Sequence, residues 1–318
     1  MSAEASTEIS FGGHRPPLQK IVLGSRGSEL ALTQTAMVVD ALKKAWPDLE
    51  IATKIISTRG DLRTAEPLDP RAGRKGLFTG EIERALAGGE IDVAVHSAKD
   101  LPSEMTPRLE IGAALSRAPI EDVLIQKESV QRQVVIATGS VRRQHQLRRM
   151  FSGIQVVDLR GNVPTRLRKF VESDWDAIVL ARAGLERLGY DLAANSFDFE
   201  GTRLRASLLS PDQFIPAGGQ GIVALQVRAD DERARGIVGA INDRNTSLCL
   251  EAEREFLRLL QGDCGSPVGV LAVIDGSTMT ICAQIFEPPR VEARTARVKG
   301  EASSPKKLAT ELWEAING

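Results

Sequence analysis

The sequence predicts an α/β protein: two doubly wound domains with largely parallel sheets, then a smaller α+β domain. Three observations carry this. From Lys20 to about Gly189, apolar strand-like runs alternate with amphipathic helix-like stretches, the pattern of repeated strand–helix units. The alternation falls into two series, the second beginning after "DVLIQ". Beyond Pro216 it gives way to two helical stretches and a set of alternating strands around Asp275-Gly276, a two-residue hairpin signal.

In chain order, "MSAEASTEISFGGHRPP" carries Glu4 and Glu8 and no apolar run. It is expected to be a flexible extension and not a targeting peptide. "KIVLGS" is a strand. "SELALTQTAMVVDALKKAW" is a helix with Ser28 as N-cap and Pro47 just past its end. "EIATKIIST" is a strand, 59–75 a polar loop, "TGEIERALAGG" a helix stopped by glycines, and "IDVAVHS" a short buried strand. After "LEIGAAL" and "DVLIQ" come strand "QVVIAT", helix "SVRRQHQLRRM", strand "IQVVDLR", helix "NVPTRLRKFVES", strand "DAIVLA" and helix "AGLERLG". "PAGGQG" is a glycine-rich hinge or crossover, and "IVALQVR" a strand able to return to the first sheet. Helices are expected near 230–241 and 246–260, then three antiparallel strands, then the amphipathic helix "SPKKLATELWEAIN". The expected division is 1–18 as extension, 19–115 with about 211–229 as the first domain, 116–210 as the second, and 230–318 as the third.

Composition narrows the partners. The 318 residues are 42% hydrophobic and 26% charged, with a net charge of −1, so any anion site must be a local cluster and not a bulk field. Aromatics are 4%, too few to interleave with basic residues as nucleic-acid binders require. Three cysteines without paired spacing suit a reducing compartment. No apolar run approaches the roughly 20 residues that span a bilayer. The expectation is a cytoplasmic protein, without nucleic acid or membrane as partner, and a monomer. No metal-ligand spacing links the histidines, cysteines and acids, so no metal is expected.

The positive charge is placed unevenly. Three strand-to-helix junctions carry arginine at the helix start: "GSRGSEL" with Arg26 and Ser28, "ATGSVRRQ" with Ser140, Arg142 and Arg143, and "DLRGNVPTRL" with Arg160, Asn162 and Arg166. A helix N-terminus is partially positive, so arginine there is disfavoured by roughly 0.3–1 kcal/mol. Free amides plus guanidinium make an anion site, at the strand ends where doubly wound sheets bind ligands. Arginine forks suit carboxylates as well as phosphates, and no phosphate-loop or dinucleotide motif occurs. Arg148 and Arg149 lie at the other end of their helix, where the dipole favours them, and are expected to be solvated.

"AVHSAKDLPSE" adds His96, Lys99 and Asp100 at the end of an apolar strand. Asp100 is either a turn residue before Leu101-Pro102 or the acid of a cationic site. His96, alone at a strand end, is more simply a hydrogen-bonded structural histidine than a base. Cys264 sits between glycines in "QGDCGSPVG" and is open to approach, whereas Cys249 and Cys282 read as buried structural thiols.

"GSRGSELALTQT", "KGLFTGEIERAL", "DVAVHSAKDLP", "TGSVRRQHQL", "LRGNVPTRL", "AGLERLG", "PAGGQG" and "GDCGSPVG" occur in this order. In that combination, over about residues 20–318, the chain resembles the porphobilinogen deaminases (hydroxymethylbilane synthases). The resemblance implies two periplasmic-binding-protein-like domains and a third, cysteine-bearing α+β domain. It implies a transferase that condenses four porphobilinogen molecules head to tail, releasing ammonia, on a dipyrromethane primer held by thioether to a cysteine. Cys264 matches that cysteine and Asp100 the catalytic carboxylate. Lys99, Thr138, Ser140, Arg142, Arg143, Arg160 and Arg166 match positions around the cofactor. Arg26, Ser28, Arg160, Arg166 and Arg187 match positions around the substrate. Gly80, Arg182 and Gln226 depart from the usual pattern, where lysine, a small or apolar residue, and glutamate are common. The rival from another class is a non-catalytic solute-binding module. Cys264 and the third domain, which such a module does not need, speak against it, as does the lack of an export signal.

Overall fold

The computed structural model describes residues 20–58, 79–128, 135–261, 266–287 and 292–318. The N-terminal stretch, the 59–75 loop and Cys264 lie outside the described residues.

Five strands form the first sheet: β1 (Lys20–Ser25), β2 (Glu50–Ile55), β3 (Val93–Ser97), β4 (Leu109–Ala114) and, from much later in the chain, β11 (Val223–Arg228). Their order is β2-β1-β3-β11-β4. Helices α1 (Glu29–Ala45) and α2 (Gly80–Ala87) pack on it. The second sheet repeats the plan with β5 (Asp122–Lys127), β6 (Val135–Ala137), β7 (Gln155–Val157), β8 (Ala177–Ala181), β9 (Ser196–Phe199) and β10 (Thr202–Leu209) in the order β7-β6-β8-β5-β10-β9. Its helices are α3 (Val141–Met150), α4 (Val163–Glu172) and α5 (Arg182–Arg187). This is the two-lobed arrangement expected of periplasmic-binding-protein-like domains. The third sheet is an antiparallel β12 (Val268–Asp275), β13 (Thr278–Phe286) and β14 (Ala293–Glu301). Helices α7 (Arg244–Leu259) and α8 (Pro305–Asn317) cover it, and α6 (Glu232–Gly239) packs on β4 and β11.

Local chemistry explains the elements near the lobes' upper edges. Residues Val93–His96 are buried throughout, as a strand covered on both faces requires. Ser28 caps α1 by accepting from the Ala31 amide at 3.3 Å, and Val38 and Leu42 carry the helix into the core of the first lobe. Asn162 caps α4 by accepting from the Thr165 amide at 2.9 Å.

Two expectations need correction, and one hairpin was not foreseen. The two large sheets are mixed, not largely parallel: β11 runs antiparallel to β3 and β4, and β5 antiparallel to β8 and β10. Each of these two strands enters its sheet from the opposite lobe, so it runs against the local strand–helix units. The β9–β10 hairpin was not expected from sequence. Its turn is Glu200-Gly201, with φ of 48° and 82°, a φ > 0 pair without the usual asparagine or aspartate. In the third sheet the two-residue loop is Gly276-Ser277, one position beyond the expected Asp275-Gly276, because Asp275 pairs with Thr278. Only Gly276 there has positive φ, 59°, the type II′ pattern.

The two passages between lobes are clamped by the third unit. Glu253 of α7 is fully buried. Its Oε1 accepts from Arg117 Nη1 at 2.7 Å, in the β4–β5 passage, and its Oε2 from the Gly219 amide at 2.7 Å, in the β10–β11 passage. "PAGGQG" is thus the second crossover. Gly219, at φ 76°, lies so close to Ala98 and Lys99 that a Cβ would sit 2.9 Å from both. The crossover glycine therefore sets how near the "HSAKD" turn approaches the hinge.

Candidate active site

The parallel strands of both lobes end on one edge, and the charged residues follow them. Ser25 of β1 leads to Arg26. Ser97 of β3 leads to a single 3₁₀ turn, Ala98–Asp100, carrying Lys99 and Asp100. A cleft at this edge is lined by Arg26, Ser28, Gln34, His96, Ser97 and Asp100, among others. In the second lobe, β6 leads to Thr138 and Ser140, β7 to Arg160, and β8 to α5 with Arg187.

Electrostatics shows that the two walls face one another. The Lys99 ammonium is pushed down to about 8, first by burial and then by Arg143, with Asp100 and Asp122 acting the other way. Arg166 is lowered to about 10 by burial and by Arg143 and Arg160, while Asp100 supports its charge. Asp100, from the first lobe, thus shares a field with Arg166 and Arg143 from the second. Cations outnumber acids here, and that excess depresses the basic groups.

Within this cluster the predicted arginines divide. Arg142 and Arg143 are 3% and 5% exposed and grip Asp122, the first residue of β5. Arg142 Nη2 donates to its Oδ2 at 2.8 Å, Arg143 Nη2 to its Oδ1 at 2.7 Å, and Gln220 Nε2 to Oδ1 at 3.1 Å. Burial alone would raise the Asp122 carboxyl, but the two guanidinium groups reverse this and hold it well below the usual carboxylate range. Arg142 Nη1 also donates to the Ile215 carbonyl, and Arg143 Nη1 to that of Val179, both at 2.8 Å. The dipole penalty at the start of α3 is therefore offset by a buried acid that the sequence reading missed. An aspartate opening a strand after a proline-containing passage was the available signal, and it was not specific. Arg160 pairs with Asp158 at 2.8 Å and stays partly exposed. Arg166 Nε donates to the Gly161 carbonyl at 2.7 Å. Arg187 reaches the hinge, donating from Nη2 to the Gly221 carbonyl at 2.7 Å. Ser140 caps α3 through the Arg143 amide at 3.4 Å, and the Thr138 hydroxyl accepts from the Ser140 amide at 3.3 Å.

The departures from pattern are also placed. Arg182 pairs with Glu186 at 2.6 Å and Glu121 at 3.3 Å, a structural bracket at the end of β8. Gln226 is buried and bonds His96 at 3.0 Å. A Cβ on Gly80 would meet nothing within 4 Å, so a side chain there would be tolerated. His96 is buried and its imidazole pushed down to about 4, chiefly by burial, the state of a hydrogen-bonded neutral histidine. Cys249 and Cys282 are buried, and burial raises both thiols, Cys249 to about 12. Neither is a nucleophile at neutral pH.

The site also fits a ligand rich in carboxylates. The Nε–H groups of Arg142, Arg143 and Arg187 are buried without a partner among the described residues, at a cost that an added acceptor would relieve. Among the described residues, no helix is long and apolar enough to cross a membrane.

Residues 21–236 match the family "Porphobilinogen deaminase, dipyromethane cofactor binding domain", and residues 247–317 match "Porphobilinogen deaminase, C-terminal domain". The chain is 41% identical to a porphobilinogen deaminase of Roseiflexus sp. (strain RS-1), over 94% of this chain and 96% of the relative. It is 36% identical to one from Macrococcus caseolyticus (strain JCSC5402), over 94% and 95%. Among solved structures it is similar to the BvgS periplasmic VFT2 domain of Bordetella pertussis, at TM-score 0.42 and 16% identity over 71% of this chain and 86% of that one. The two sequence matches, each spanning nearly both proteins, establish that the chain belongs to the porphobilinogen deaminase family.

Proposed function

We propose that this chain condenses four porphobilinogen molecules head to tail, releasing ammonia at each addition, into the linear tetrapyrrole hydroxymethylbilane. The observation that carries the residue assignment is the placing of Asp100. It is a partly buried acid on the cleft wall, next to Lys99 and in the field of Arg143 and Arg166 from the facing lobe. A single carboxylate among cations can accept from a pyrrole N–H and stabilise the positive charge that develops on the ring as ammonia departs. It can also exchange a proton with the leaving amine or the reacting pyrrole carbon.

The dipyrromethane group, when bound, supplies the primer to which porphobilinogen is joined. Cys264 would hold it by thioether, and Lys99, Thr138, Ser140, Arg142, Arg143, Arg160 and Arg166 would surround it. The partnerless Nε–H groups of Arg142 and Arg143 support this, since every pyrrole unit brings two carboxylates. Ser140 and Thr138 contribute mainly by fixing the start of α3. Arg26, Ser28, Arg160, Arg166 and Arg187 would bind the substrate's carboxylates, holding a flexible polyanion between rigid walls. Residues 19–115 with 211–229, 116–210, and 230–318 then act as three domains: two walls, and a third that carries the cysteine and clamps the hinge. The protein works in the cytoplasm as a monomer, with no nucleic acid or membrane partner.

The test is the intact mass of the denatured protein. The active enzyme should be heavier than its sequence by one dipyrromethane, and peptide mapping should place it on Cys264. Cys264→Ser should lose the adduct, while Cys249→Ser and Cys282→Ser keep it. Fully active protein of unmodified mass would overturn the assignment.

A further inference from the structure

A buried polar chain runs beneath the cleft and ends at His96. Thr106 Oγ1 donates to Glu83 Oε2 at 2.8 Å, and Gln226 Nε2 donates to Glu83 Oε1 at 2.9 Å. A carboxylate only accepts, so the Gln226 amide must turn its nitrogen to Glu83 and its oxygen to His96. That oxygen lies 3.0 Å from His96 Nε2, so Nε2 carries the proton and Nδ1 is left as a bare acceptor. Glu83, Gln226 and His96 are 7%, 0% and 5% exposed, so water does not compete for these bonds.

The rest of the cleft wall has little accepting capacity to spare. Arg26 only donates. Gln34 and Ser97 bond one another at 2.9 and 3.1 Å, and the Ser28 hydroxyl caps α1. His96, Asp100 and the Thr79 hydroxyl, which is buried without a partner among the described residues, are the acceptors that remain on this wall. Porphobilinogen brings carboxylates for the arginines, but it also brings an ammonium on its aminomethyl arm, which an arginine-lined wall repels.

We propose that Glu83 and Gln226 lock His96 as the uncharged Nε2–H tautomer, so that its Nδ1 accepts from the aminomethyl ammonium of porphobilinogen and, with Asp100, positions that arm in the cleft. His96 is then a binding group and not a general base. The charged groups around it agree with its neutrality: Arg26 from the β1–α1 junction and Arg254 from α7 both oppose a proton on the ring. Glu83 of α2 reaches it only through the neutral Gln226, and Asp100 lies on the same wall. This proposal rests on the assignment of the cleft as the porphobilinogen site, and its first test does not.

Nitrogen NMR of the full-length protein labelled in histidine reports the tautomer directly, with His14→Gln and His145→Gln assigning the remaining ring. His96 should show a protonated Nε2 and a bare Nδ1, unchanged down to about pH 5. A protonated Nδ1, or titration near 6.5, would overturn the proposal whatever the enzyme's substrate. Steady-state kinetics supplies the second test. Glutamine mimics Nε2 and keeps the bond to Gln226, whereas asparagine places its amide near Nδ1. His96→Gln should raise KM about tenfold, the scale of one charge-assisted hydrogen bond, with a much smaller change in kcat. His96→Asn should raise KM less. Equal effects, or the reverse order, would reduce His96 to a structural residue.

Discussion

Two aspartates act on the same lysine, yet they are built for different work. Asp122 is fully buried, with two guanidinium groups and an amide on its oxygens at 2.7–3.1 Å. Asp100 is partly buried and lines the open cleft. Both support the charge of Lys99. Asp122 spends its lone pairs inside the protein, holding α3 against β5 at the mouth of the hinge. Asp100 keeps capacity toward the cleft. The contrast teaches that a carboxylate among arginines is not an active-site acid by company alone. What it faces, and how many of its acceptor sites are already filled, decides its role.

Four experiments can break or sharpen that contrast. The largest effect is expected for Asp122→Asn. It leaves Arg142 and Arg143 buried without their counter-ion, and breaking a buried pair costs about 3–5 kcal/mol. Urea unfolding measures this. A loss below about 1 kcal/mol would mean that the clasp is not structural. Asp100→Asn should do the reverse. Asparagine serves a turn as well as aspartate, so the unfolding midpoint should hold while turnover of porphobilinogen falls at least 10²–10³-fold, roughly the scale of a lost electrostatic stabiliser. Asp100→Glu should keep a small residual rate. Near-normal turnover of Asp100→Asn would return that residue to the turn.

Arg143→Leu should lose about 1.5–3 kcal/mol of stability as well as activity, because Asp122 keeps Arg142 as a partner. Arg149→Leu, exposed on the same helix, should stay within about 0.5 kcal/mol and remain active. Equal behaviour of the two variants would defeat the distinction between the two ends of α3. The smallest effect is in the acid limb. Asp122 has a folded pKa held below its unfolded value, near 3.9. The stability it contributes is therefore complete above about pH 4 and lost as pH falls below that, by up to roughly 1.4 kcal/mol per unit. The stability gap between wild type and Asp122→Asn should narrow from pH 5 to pH 3. A gap independent of pH would show that the clasp does not depend on ionisation.

What the sequence determined by itself is local. Short apolar runs place β1 and β3, and period-3.6 patterning places α1 and α3, because burial repeats along a helix as regularly as the backbone does. Ser28 is legible as a cap because a cap serves amides two or three residues away. The arginines at strand ends, and "HSAKD" beside them, are legible as a cluster because a doubly wound sheet delivers such ends to one edge. What the tertiary structure alone decided depends on groups far apart in the chain. Arg117 meets Glu253 across 136 positions, and Gln226 meets His96 across 130. Asp122 captures Arg142 and Arg143 only because β5 crosses into the second sheet beside α3. The same crossings make both large sheets mixed. Ion pairing and desolvation act through space and depend on depth, and neither distance nor depth is written in the order of residues. The sequence could thus show where the cations gather, while the fold decided which of them Asp122 already holds and which surround Asp100.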